Sequence, residues 1–94
     1  MGKSQVAAQP PEVKALLREV ERELDRATAK FPPLNSPHEG WAVIAEEVDE
    51  LWACVKENTG RSEEAWREAV QVASMALRYA LDLCYPRGTE FTDA

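Results

Sequence analysis

Residues 36–58 read SPHEGWAVIAEEVDELWACVKEN. The opening, Ser36-Pro37-His38-Glu39, is a helix start. It supplies a hydroxyl to cap orphan N–H groups, a proline where the missing N–H is harmless, and a glutamate to reach back. Behind it, Trp41, Ile44, Val48, Leu51 and Val55 recur at the three-four spacing of one helix face. The spacing predicts a helix to about Asn58 with this stripe turned inward, broken by Thr59-Gly60.

The flanking segments have the same period. After Pro10-Pro11, the stripe Val13, Leu16, Leu17, Val20, Leu24 and Ala27 predicts a first helix over about 11–30. Glu19, Arg22, Glu23 and Arg26 form its opposite, solvated face. Ser62 with Glu63 and Glu64 restarts the chain as a third helix, over about 62–85, stopped by Pro86 and Gly88. Residues from about 87 to 94 read as a loose tail. No stretch alternates with the two-residue period of a strand. The expected fold class is therefore all-α: one domain, residues 1–94, built as an antiparallel bundle of three main helices.

The third helix carries an unusually broad apolar surface. Trp66, Ala69, Val70, Ala73, Leu77, Ala80, Leu81 and Cys84 form one face, and Val72, Met75 and Tyr79 widen it. A chain this small buries only about 60–65% of its unfolded surface. Oligomerisation is the expected remedy, with a four-helix-type core completed across a dimer. The alternative is a first helix that folds back and covers the whole face.

Charge and cysteine usage exclude several classes. Seventeen acids against eleven bases leave a net charge of −6, which argues against a binder of nucleic-acid backbones. No apolar run approaches the roughly 20 residues of a membrane span, and no signal-peptide pattern opens the chain, so a cytoplasmic protein is expected. In antiparallel second and third helices, residues at one level sum to about 118 or 119. Cys54 then lies beside residues 64–65, and Cys84 about 28 Å further along at 1.5 Å per residue. No disulfide joins them on this reading, and two free buried thiols are expected. Neither has a metal-binding or thiol-catalytic context.

Between Glu39 and Glu50 stand five acids and no base. Glu47 borders the apolar stripe and Glu50 lies about 60° further round, on an edge shared with Val43 and Cys54. By the level rule Glu68 stands opposite Glu50, and Gln71 opposite Glu47. Three carboxylates and an amide thus converge between two helices, and their repulsion is relieved by a hard cation or by raised pKa values. Magnesium suits such an oxygen set, because it keeps several waters and shares its shell with phosphates. A run of glutamates is otherwise an ordinary solvated face.

These residues carry a resemblance. The string EEVDE (Glu46 to Glu50), followed after 17 residues by EAVQ (Glu68 to Gln71), resembles the signature of the MazG-like, all-α nucleotide pyrophosphohydrolases. In that family an EExxE motif on one helix is followed by ExxD on the next. The resemblance spans about residues 36–85, and HEGWAVIAEEVDELW looks especially like small MazG-like proteins of phages and mobile elements. It implies a dimer or tetramer and Mg²⁺-dependent cleavage of a nucleoside triphosphate to monophosphate and pyrophosphate, with Mn²⁺ a substitute. It also implies that Glu47, Glu50 and Glu68 are metal ligands, with Glu46 a second-layer residue or water-orienting base. Gln71 stands where the family has aspartate; its amide can ligate but brings no charge. The alternatives are a non-catalytic helical oligomer that binds a partner protein and a nucleotide-binding sensor without turnover.

Other residues have plainer readings. His38 is a solvent-facing residue of the first turn, and Glu39 the capping partner. Trp41, Trp52 and Trp66 are core or subunit-interface anchors; one of them, or Tyr79, is a candidate base-stacking ring. Arg78 and Lys56 are candidate phosphate contacts, with an exposed ion pair the commoner role. Met75 shares a side with Glu68 and is a candidate pocket floor.

Overall fold

The computed structural model describes residues 11–84. Three helices form: α1 (Pro11–Lys30), α2 (Pro37–Lys56) and α3 (Glu63–Tyr79), the last continued by a π-helical turn, Ala80–Cys84. No strand occurs among the described residues. Tyr85 and the expected tail lie outside them.

The helix ends show why the chain breaks where it does. Ser36, in extended backbone, accepts the Glu39 N–H on Oγ at 3.1 Å, and Pro37 opens the helix. Glu39 does not close the box on Ser36 but reaches one residue further, accepting from the Asn35 N–H at 2.6 Å. At the other end α2 stops at Lys56, two residues before the sequence expectation. Asn58 takes the left-handed conformation (φ 61°), its N–H bonds the Val55 carbonyl, and the Thr59 N–H bonds the Cys54 carbonyl. These two bonds satisfy terminal carbonyls in the Schellman arrangement. Asn58, not Gly60, is therefore the breaking residue, since asparagine tolerates positive φ. Ser62 Oγ then caps α3 by accepting the Ala65 N–H at 3.1 Å.

Helix α3 is the central element, with α1 and α2 both packed on it. Val20 meets Ser74 and Pro32 meets Arg78, so α1 runs in the sense of α3. Helix α2 runs against both, with Gly40 beside Tyr79. The core lies along α3: Val70, Ser74 and Met75 are buried with Val20 and Ala27 of α1 and Leu34 of the connecting loop. Cys54 and Ala65 are buried near the α2–α3 turn. The enclosed Ser74 hydroxyl lies 2.8 Å from the Val70 carbonyl and 3.2 Å from that of Val20, so its one proton has partners on two helices.

Gly40 sets the approach of α2 to α3. A Cβ there would lie 2.5 Å from Tyr79 Cδ2 and 2.9 Å from Leu83 Cδ1. Alanine gains roughly 0.5–1 kcal/mol of helix propensity, but overpacking against a ring costs about 1–3 kcal/mol. Gly40→Ala is thus expected to destabilise the chain by about 1–2 kcal/mol, read from urea unfolding. A midpoint equal to or above wild type would show that the contact is not tight.

The apolar stripes do not all face inward as expected. On α2, Trp41, Val48 and Val55 are exposed, Trp41 at 63%, with Ile44 and Leu51 half-buried. On α3 and its π-helical turn, Trp66, Ala69, Ala73, Leu77, Ala80, Leu81 and Cys84 are exposed, whereas Ala65, Val70, Ser74, Met75 and Arg78 are buried. On α1, Val13, Leu16 and Leu17 are also exposed. A helical wheel identifies an apolar face but not the surface it meets, and within one chain α1 does not cover these stripes. All three tryptophans lie outside the core. Both cysteines are free, but only Cys54 is buried; Cys84 is exposed at the edge of the uncovered α3 face.

The loop between α1 and α2 is pinned by two polar groups. Arg78, 6% exposed, donates from Nη2 to the Pro32 carbonyl at 2.6 Å and lies 3.5 Å from Asp82 Oδ2. That same carboxylate oxygen accepts the Leu34 N–H at 2.9 Å. Arg78 is thus neither the exposed ion pair nor the free phosphate contact that its type suggests.

Candidate metal centre

Helices α1 and α2 meet α3 but pack little on each other, and a cavity of about 540 Å³ opens between them. Its α2 wall carries Glu39, Val43, Glu46, Glu47 and Glu50, and its α3 wall Glu68, Gln71, Met75 and Arg78. Glu23, Arg26 and Lys30 of α1, with Phe31 and Leu34 of the loop, close the remaining side.

The acids meet because of helix geometry. Glu47 and Glu50 are three residues apart and so share a face of α2. Glu68 arrives from α3 at the level of Glu50. One oxygen of each of Glu47, Glu50 and Glu68 lies within 4.8 Å of the others. Glu47 and Glu68 are half-buried, and the Oε1 atom of each is enclosed with no hydrogen-bond partner. Burial, then the charges of Glu50 and Glu68, push the Glu47 carboxyl up to about 7. Glu68 is raised for the same reason, burial first and then contact with Glu50.

Cations line the same cavity yet leave the triad alone. Arg26 pairs with Glu23, and this bond, helped by the Gln71 amide, holds Glu23 below the usual carboxylate range despite partial burial. Arg78 is committed to Pro32 and Asp82. Lys30 Nζ lies 5.3 Å from the centre of the Phe31 ring. An oxygen-only cluster left uncompensated by the cations of its own cavity suits a hard divalent ion, which prefers carboxylates and water.

Gln71 lines this cavity, with its amide near Glu23, whose carboxyl it helps to hold low. Glu46 is exposed at the cavity wall beside the triad. His38 is exposed, and Lys56 lies over the Trp52 ring, away from the cavity. Neither the tryptophans nor Tyr79 line it. Met75 does, and is buried. Sequence reasoning placed Glu23 on a solvated face; the signal that it turns inward is its position three residues after Val20 and four before Ala27, both buried. Phe31 carried no such signal.

A stability profile follows from Glu47. Its carboxyl ionises near 7 in the fold against 4.5 when unperturbed. The native state therefore binds more protons between these values, and stability falls as pH rises through 7. The full shift corresponds to about 3.4 kcal/mol, reduced by solvent screening to about 1–2 kcal/mol. Urea unfolding of the chelated protein at pH 5 and pH 8 should show this loss, and Glu47→Gln should remove most of it. Equal slopes in the two proteins would place the titration elsewhere. Comparison of the chain with models of known protein families, with curated proteins and with solved structures finds no match.

Proposed function

We propose that this chain is a MazG-like, divalent-cation-dependent nucleotide pyrophosphohydrolase. The observation that carries the reading is the convergence of Glu47, Glu50 and Glu68 with two enclosed, unpartnered oxygens. The EEVDE and EAVQ strings support it. Glu47, Glu50 and Glu68 would hold Mg²⁺ or Mn²⁺, and the orphaned oxygens fit such an ion. Bound there, the ion would neutralise phosphate charge and lower the pKa of a water. Glu46, exposed beside the triad, accepts the proton of the attacking water. Arg26 and Lys30 attract the phosphate chain from the opposite wall.

The oligomer belongs to the same reading. Trp41, Val48 and Val55 of α2 and Leu77 and Leu81 of α3 are exposed apolar residues, and a second copy covers them to complete a four-helix-type core. Incubation with a panel of canonical and modified nucleoside triphosphates, with Mg²⁺ or Mn²⁺, tests the activity. Release of pyrophosphate and monophosphate is expected; silence across the panel sinks the claim.

One observation favours a second reading, a scaffold or sensor without turnover. Gln71 is uncharged, so the site has three carboxylates rather than four. Calorimetric titration with Mg²⁺ and Mn²⁺ separates the two: no binding at millimolar metal favours the scaffold, and tight nucleotide binding without product the sensor.

A further inference from the structure

The cavity has two poles, and the proposed chemistry uses only one. Opposite the acid triad, Phe31 is 48% exposed although its ring is apolar. A solvated loop end would let such a ring turn away. Here the backbone is fixed just beyond it, with the Pro32 carbonyl held by Arg78 and the Leu34 N–H held by Asp82. Leu34 itself is buried. The Arg78 guanidinium lies over the ring at 5.7 Å from its centre and Lys30 Nζ at 5.3 Å, and Phe31 is still half exposed with both in place. A buried arginine and a half-buried aspartate are a large polar investment in one short loop, and what they hold in place is an open aromatic surface on a cavity wall. At about 540 Å³ the cavity falls in the usual range of small-molecule sites.

We infer that Phe31 is the platform on which the base of a nucleotide stacks, its phosphate chain running past Lys30 and Arg26 toward Glu47, Glu50 and Glu68. This rests on the nucleotide reading above and narrows it. The substrate class is one with a planar aromatic base, not an inorganic polyphosphate or a sugar phosphate. Lys30 suits the site, because an ammonium beside a stacked base reaches toward the phosphates, whereas Arg78 stays bound to Pro32 and Asp82. Phe31 touches substrate on this assignment, whereas Arg78 and Asp82 act through the loop they position.

The test is calorimetric titration of the full chain with Mn²⁺ present, using an α,β-imido nucleoside triphosphate and inorganic tripolyphosphate as separate ligands. Wild type, Phe31→Ala, Phe31→Trp and Glu50→Ala are compared. Phe31→Ala should weaken the nucleotide by about 5- to 150-fold, the range for loss of one base–aromatic stack. Its tripolyphosphate affinity should stay at the wild-type value. Phe31→Trp should retain nucleotide binding, and Glu50→Ala should lose both ligands. If Phe31→Ala weakens neither ligand, or both equally, the platform is overturned while Glu50-dependent binding leaves the metal reading standing. If Phe31→Ala instead changes the oligomeric state with nucleotide affinity intact, the ring belongs to a subunit contact and the platform is overturned. If wild type binds neither ligand, the nucleotide reading falls and the platform with it.

Discussion

Glu50→Ala is expected to lower Mn²⁺ affinity by about 100-fold or more and to reduce pyrophosphate release to background, while making the metal-free protein more stable. The two effects have one cause. Glu50 contributes an oxygen to a cluster in which each partner lies within 4.8 Å, and its charge helps raise both Glu47 and Glu68. Two unit charges at that separation repel by roughly 0.9 kcal/mol even in a water-like dielectric. Deleting one therefore removes repulsion from the apoprotein at pH 8, above the value of about 7 to which the Glu47 carboxyl is raised. It also takes away one of the three carboxylates of the cluster, and Gln71 cannot replace it because its amide brings no charge. Loss of binding together with a higher urea midpoint at pH 8 separates a removed ligand from a damaged fold. Turnover unchanged in this variant would detach the activity from the triad.

Arg78→Ala should produce the largest loss of stability, about 2–4 kcal/mol, since removing one partner of a buried ion pair is costly. In a chain of this length that lowers the thermal midpoint by roughly 10–25 °C. The guanidinium is 6% exposed and reaches two elements at once, the Pro32 carbonyl and the Asp82 carboxylate. Its removal leaves the carbonyl without that donor and Asp82 without its cation. Asp82 keeps the Leu34 N–H, which holds the loss below the upper range for buried charges. Arg78→Lys keeps the charge but not the two-directional reach, so it should recover less than half of the loss. Differential scanning calorimetry decides; a shift under 3 °C, on the scale of a sub-kilocalorie change, would show that the loop stands without the clamp.

Legibility followed the range of the interactions. Ser36 and Ser62 were readable as caps because capping links residues two or three apart. Asn58 was passed over for Gly60, since both tolerate left-handed backbone and only the hydrogen bonds to Cys54 and Val55 distinguish them. The triad was accessible from register alone, because two helices joined by a short turn must run antiparallel and levels then follow from 1.5 Å per residue. Glu23 was not, because its placement depends on how α1 lies across α3. Arg78 was misread because its partners come from a loop 46 residues away and from Asp82 on the π-helical turn.

The sequence by itself determined the all-helical fold, the three helices and the level at which Glu50 meets Glu68, since these depend on local periodicity and one short connection. Only the tertiary structure decided which apolar faces the chain covers. Periodicity measures how apolar a face is, while burial depends on which neighbour reaches it. Trp41, Val48 and Leu77 are apolar at helical spacing and still meet no neighbour that buries them among the described residues. Gly40, lacking a side chain, lets α2 approach α3 closely because Tyr79 fills the place of its Cβ.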